Sequence, residues 1–213
     1  MTAIRSRRAA ACLLPVVLLT AGCSKDKKEP ATTTTLAPTT APTESTTTTV
    51  PFTKESIVLA GDGLGPALPF GTNAAKTIGS LIQALGNPEK NTPLPVGQPC
   101  GATRRLTWAN FQVLVNEVGV TSNAGRPGFA GWFLGPNGPN ALPFKTDKGI
   151  GVGSTVAQMQ AAYGGDVTTS HGEQGAAFFI STPSGLQITG QLTTIGPQAK
   201  VTNIQAGSYC GPA

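Results

Sequence analysis

The first fifty residues cannot build a core, which confines folding to the rest of the chain. Residues 24–50 carry threonine runs at 32–35 and 46–49, broken by Pro30, Pro38 and Pro42, with almost no bulky apolar side chain. Such a segment has too little surface to bury to offset the entropy of ordering it. Its prolines keep it extended, at up to ~3.1 Å per residue in polyproline geometry. It reads as a disordered stalk, and Ser/Thr-rich stalks with proline are also candidates for O-glycosylation. Lys25, Lys27 and Lys28 at its start suit contact with anionic head groups. The remainder, residues 51–213, holds 213 − 50 = 163 residues, enough for one ordinary domain with a core.

Ahead of the stalk, Arg5, Arg7 and Arg8 precede a run at 9–19 that is apolar and interrupted by Pro15. A membrane-spanning helix needs ~20 apolar residues, so this run is too short to span. Positive charge, a short apolar stretch and then small residues form the pattern of an export signal. Its end, Leu18-Leu19-Thr20-Ala21-Gly22-Cys23, resembles the lipobox of bacterial lipoproteins. The family's usual leucine three places before the cysteine is replaced here by Thr20. The resemblance implies cleavage after Gly22, acylation of Cys23 through a diacylglyceryl group with palmitate-class chains, and a mature chain starting at that cysteine. It also implies a location on the extracytoplasmic face of the cell membrane. More than one acyl chain is needed for such an anchor, because a single chain binds a bilayer only marginally.

Charge and cysteine usage narrow the partners. The whole chain carries a formal +5, but residues 51–213 hold nine Lys/Arg and seven Asp/Glu, or 9 − 7 = +2. Arg104-Arg105 is the only adjacent basic pair there, so no clustered basic face for nucleic acid is visible. The expected partners are the membrane, through the anchor, and an envelope protein or wall component. Of the four cysteines, Cys12 lies in the signal and Cys23 takes lipid. Cys100 and Cys210 remain, and in an oxidising compartment they are expected to form a disulfide. Closing a loop of about 100 residues contributes ~4.7 kcal/mol in the chain-entropy model. Two cysteines and the single His171 do not make close-spaced metal-ligand pairs, so no metal or cofactor is expected.

Periodicity gives a coarse map. A short strand is expected at 56–60. Thr72 or Asn73 caps a helix with Ile78, Leu81, Ile82 and Leu85 on one face, stopped by Gly86, Asn87 and Pro88. A Pro-rich loop leads to Cys100. Alternating residues Leu106 and Trp108, then Phe111, Val113 and Val115, and the run 129–134 predict strands. Ser154-Thr155 cap a second helix carrying Val156, Met159 and Tyr163, ended by Gly164-Gly165, and strands follow at 178–181, 186–192 and 201–206. Residues 77–86 align without gaps to 155–164, from a threonine to a glycine. The pattern predicts an α+β domain of two repeats, about 56–140 and 141–213. Each would be a helix followed by antiparallel strands, with the helices on one side of the sheet. The unit resembles the tandem repeats of secreted β-lactamase-inhibitor-protein-type domains and the related small outer-membrane assembly lipoproteins, over about residues 56–210. No motif for that family's binding residues is present, so none is carried over. More broadly the chain resembles lipoproteins of high-GC Gram-positive bacteria.

Catalytic constellations are poorly formed. Ser170 or Ser184 with His171 and Asp166 lacks a nucleophile-elbow glycine pattern. Asp62, Asp147, Asp166 and Glu173 lie near glycines without a spacing that pairs them for glycoside chemistry. The glycine runs 61–65 and 149–153 lack the Lys-Ser/Thr of a phosphate loop, and turn-and-cap duty accounts for them. No catalytic residue is assigned. Trp132 and Phe133 are adjacent on a strand and must point to opposite faces. Both are candidate partner contacts, whichever face is left uncovered. The sequence thus reads as a non-catalytic, lipid-anchored binding or structural module of the envelope. The alternative is a carrier holding an apolar ligand or lipid between helices and sheet, near Leu81, Leu85 and Met159. Mass spectrometry of the native protein is expected to find Cys23 as the first residue, carrying diacylglyceryl. Cys23→Ala is expected to leave the chain unacylated.

Overall fold

The computed structural model describes residues 51–95, 100–117 and 128–210. Cys23, the stalk and the export signal lie outside these. A small hairpin comes first, β1 (Leu59–Ala60) and β2 (Gly63–Leu64), followed by helix α1 (Ala74–Leu85). Strands β3 (Lys90–Pro93), β4 (Arg104–Trp108), β5 (Phe111–Asn116) and β6 (Gly128–Leu134) lead to helix α2 (Val156–Tyr163). Strands β7 (Val167–Gly172), β8 (Gly175–Ser181), β9 (Gln187–Leu192) and β10 (Val201–Gly207) complete the order. Eight of these strands form one antiparallel sheet in the order β3-β4-β5-β6-β10-β9-β8-β7.

This corrects the expected α+β arrangement of two helix-plus-strand repeats. The described chain is mostly β: a two-stranded and an eight-stranded sheet with only two α-helices, of 12 and 8 residues. The sheet runs unbroken across the position where one repeat was to end, because β6 pairs directly with β10. The helix alignment that suggested duplication also joins unlike positions. Thr155 is the N-cap of α2, its Oγ1 accepting from Gln158 N at 3.2 Å. Thr77 lies inside α1, buried, its hydroxyl donating to Asn73 O at 3.0 Å. Elsewhere the alignment does join like positions: Gly86 and Gly164 end the two helices, and Leu81 and Met159 are both buried in the main core.

The local signals behave as their chemistry requires. Asn73 caps α1 by accepting from Lys76 N, and Thr155 with Gln158 forms a capping box. Along β4 and β5, Leu106, Trp108, Phe111, Val113 and Val115 are buried in one cluster with Leu81 of α1 and Met159 of α2. Ile82, expected on the same stripe as Leu81, is exposed instead. Two segments for which no strand was expected are strands: β3, in the Pro-rich stretch expected as a loop, and β7, which carries His171. Both are edge strands with exposed, polar residues, so no alternating apolar pattern marks them.

The joint between β6 and β10 permits very close backbone approach. Gly131 sits opposite Gly207. A Cβ on Gly131 would meet Ser208 O and N, and Gly207 has φ +76°. The chain therefore passes from β10 closely over β6, with Ser208 N donating to Ala130 O at 2.9 Å. It then reaches Cys210, which is disulfide-bonded to Cys100. The bridge packs with Ala102, Leu114 and Ala130 as a small second cluster, separate from the main core. Gly131→Ala is expected to lower stability in urea by about 1–3 kcal/mol, since the clash is with backbone. Gly79→Ala, in an exposed helix position with open space around it, is expected to raise stability by about 0.5–1 kcal/mol.

Candidate functional site

Period-two alternation separates Trp132 from Phe133. Trp132 is 1% exposed, and its indole N–H donates to Ala60 O at 2.9 Å. It ties the hairpin to the sheet and is not available to a partner, which removes it from the two candidates. Phe133 points to the other face, half-buried, and stacks on Tyr209 with ring centroids 5.3 Å apart and planes 21° apart. Tyr209 is 37% exposed. Its place on the sheet follows from its neighbours, since Ser208 is bonded to β6 and Cys210 is held by the disulfide.

Strand register places Phe133 in a continuous cross-strand row. Lys90 on the edge strand β3 faces Thr107, which faces Gln112, which faces Phe133. Phe133 faces Gln205, and the row continues through Thr189, Phe179 and Thr168 on β9, β8 and β7. Neighbouring strands lie ~4.8 Å apart, so Phe133 and Phe179, three strands distant, are separated by about 14 Å along the row. Between the two rings lie an amide and a hydroxyl.

Beside this row is a second polar pair. β10 carries a bulge between Val201 and Asn203, and bulges re-aim side chains. Asn203 Nδ2 donates to Gln191 Oε1 at 2.9 Å, while Asn203 Oδ1 accepts from Gln191 N at 3.1 Å. The two bonds fix the Asn203 side chain, and the first holds the Gln191 amide by its Oε1, leaving Nε2 with no hydrogen bond among the described residues. Phe133, Tyr209, Phe179, Gln191, Asn203 and Gln205 all border an open cleft of about 540 Å³. None of its thirteen lining residues carries a charge. It adjoins a second cleft of about 440 Å³ at Thr189, also lined without charge. Both fall within the roughly 300–1,000 Å³ typical of ligand sites.

The other sequence candidates do not assemble. His171 and Ser170 are adjacent on β7 and face opposite ways. Asp166 precedes β7 at its far end, about 17 Å from His171 along the strand. Ser184 lies in the turn between β8 and β9, bonded to Thr182. The glycine run 149–153 is folded on itself. Gly149 N donates to Thr146 O, Ile150 N to Thr146 Oγ1, Gly151 N to Ser154 Oγ and Gly153 N to Val201 O. Four of its five amides are spent within the protein, which leaves no phosphate cradle. Near it, Lys145 and Lys148 line a separate cleft of about 660 Å³. Lys148 Nζ lies 4.4 Å from the Tyr163 ring centre, and the Tyr163 hydroxyl donates to Asp147 at 3.3 Å. Burial and then the Asp147 charge hold the Tyr163 phenol above its usual range, against a lowering bond from Thr146. Leu81 and Met159, named for a ligand pocket, are fully buried in the main core. The four described clefts are lined by other residues. Among the described residues, no group of three or more His, Cys, Asp or Glu is placed to hold a metal ion. No helix among the described residues is long and apolar enough to cross a membrane.

Sequence reasoning missed Tyr209, Phe179, Gln191, Asn203 and Gln205. A signal existed: the polar positions of β9, Gln187, Thr189 and Gln191, are uncharged throughout. A merely solvated face usually carries Lys or Glu. The chain matches no protein-family model, and no curated protein or solved structure matches it. Residue roles therefore rest on this geometry alone.

The Phe133–Tyr209 stack is expected to show a coupling of about 0.5–1.5 kcal/mol in a double-mutant cycle with alanine, read from urea unfolding. Removing the bridge with Cys100→Ser and Cys210→Ser is expected to cost about 2–5 kcal/mol. It should also abolish that coupling, because the ring is then no longer held on the sheet.

Proposed function

We propose that this protein is a lipid-anchored, extracytoplasmic binding module of the cell envelope, and that the open sheet face bearing Phe133 and Tyr209 is its binding surface. The anchor reading rests on the sequence around Cys23. The binding reading rests chiefly on one observation: an uncharged cleft where a disulfide-held tyrosine stacks on a strand phenylalanine beside locked side-chain amides. Rings fixed before binding lose little entropy when a partner arrives. Groups of this kind bind chiefly by stacking and hydrogen bonding, which fits a module that acts without covalent chemistry. The stalk of residues 24–50, 27 residues long, would let the domain reach up to roughly 80 Å from the bilayer at ~3.1 Å per residue. That favours a target in the envelope over the lipid surface itself.

A photo-crosslinking residue placed at Gln191 of the full chain, in living cells, tests this reading. Envelope material is expected to be captured from position 191 and not from Lys76, an exposed position on α1. Capture from Lys76 with none from Gln191 would place the binding surface elsewhere.

A further inference from the structure

We infer that the ligand of this face is a neutral glycan of the envelope, bound as a short stretch of sugar rings across the strands. The inference rests on the reading of the face as a binding surface and adds the chemical class of what it takes.

The lining of the face selects among ligand chemistries. An anionic ligand calls for cations, and nucleic acid in particular binds through Lys and Arg on phosphates. The thirteen residues around the main cleft and the ten around its neighbour include none. A cationic ligand calls for carboxylates, and those are absent from the same linings. A lipid tail would desolvate the Gln205 amide and the Gln191 Nε2 without giving them partners, at a cost for each unpaired polar group. A sugar fits each element. Its hydroxyls both donate and accept, and a side-chain amide offers both in one group. The C–H faces of a sugar ring carry weak positive charge and pack against the negative faces of aromatic rings.

The geometry repeats this match along a line. The row Gln112, Phe133, Gln205, Thr189, Phe179 intersperses two rings with hydrogen-bonding groups over adjacent strands, and Tyr209 overlies the first ring as its outermost stacking surface. Its spacing comes from the sheet, so Phe133 and Phe179 stay about 14 Å apart. That span suits an oligosaccharide better than one sugar. Gln191 lies beside the row, its amide oxygen already taken by Asn203. Its remaining N–H donors are pre-set for a ligand hydroxyl, a device that spares ordering entropy. The cleft is open and about 540 Å³, room for a few rings of a longer chain whose ends run out into solvent.

The test uses the full-length protein sedimented with envelopes isolated from the producing cell, in four states: untreated, protease-stripped, treated with periodate, and mixed with excess deproteinised envelope polysaccharide. Periodate cleaves vicinal diols of sugars. The inference expects binding to survive protease, fall at least tenfold after periodate, and be competed by the free polysaccharide. It also expects little change in affinity from low to high salt, since no ion pairs form. Tyr209→Ala and Gln191→Ala are each expected to weaken binding at least tenfold. Lys148→Ala, in the separate charged cleft, should leave it unchanged. Binding abolished by protease and spared by periodate would overturn the glycan while keeping the face as a protein-binding surface, as would a protein captured from Gln191. Unaltered binding by the Tyr209 and Gln191 variants, with folding verified by circular dichroism, would overturn the surface and the glycan together. So would no sedimentation with any envelope preparation.

Discussion

The pairing of β6 with β10 is the contact on which the rest depends. It joins strands far apart in sequence, and it makes one eight-stranded sheet from two four-stranded meanders. The pairing requires close approach, which Gly131 and Gly207 permit by lacking side chains where the backbones meet. From this joint the two faces diverge. Trp132 anchors the hairpin and the main core on one side. Phe133 begins the aromatic and amide row on the other. The disulfide acts at the same place, fixing the tail that has just crossed β6 and setting Tyr209 against Phe133. Fold and candidate site are therefore consequences of one junction.

Burial is distributed in accord with that asymmetry. The inner face carries the large apolar residues Phe111, Trp132, Phe178 and Ile204, all fully or nearly buried. The outer face has only the small cluster around Cys100 and Cys210. Beyond it the residues facing the Phe133 cleft are half-exposed or exposed amides, hydroxyls and rings, while the ions of this face, Lys90 and Arg105, sit at its β3–β4 end. A face left open for solvation alone is served well by lysine and glutamate. The absence of charge along the Phe133–Tyr209 cleft is what distinguishes this part of the face from plain surface.

Much of the local structure was legible in the sequence, and the global arrangement was not. Asn73, Thr155, Gly86 and Gly164 mark helix ends because capping chemistry depends on neighbours within a few residues. Phe111, Val113 and Val115 mark a strand because their alternation is local as well. The pairing of Cys100 with Cys210 followed from elimination and compartment. By contrast, β3 and β7 sit at sheet edges, where nothing must be apolar, so Lys90–Pro93 and Val167–Gly172 leave no pattern. The expected division into repeats failed because alignment of 77–86 with 155–164 cannot distinguish a capping threonine from a buried one. Tyr209 was invisible as a site residue because its position depends on a tail crossing and a bridge. The uncharged alternate positions of β9 were readable, yet their meaning appears only when register sets them beside Phe133 and Phe179.

The most direct test of the central claim is a hydroxyl-radical footprint of the full-length protein, free and bound to isolated envelopes. Exposed Tyr209 and half-buried Phe133 and Phe179 serve as reporters. Oxidation of Tyr209, Phe133 and Phe179 is expected to fall on binding, while that of exposed Ile82 on α1 and Ile195 beyond β9 stays the same. Protection of Ile82 or Ile195 with undiminished oxidation of Tyr209 would contradict the account.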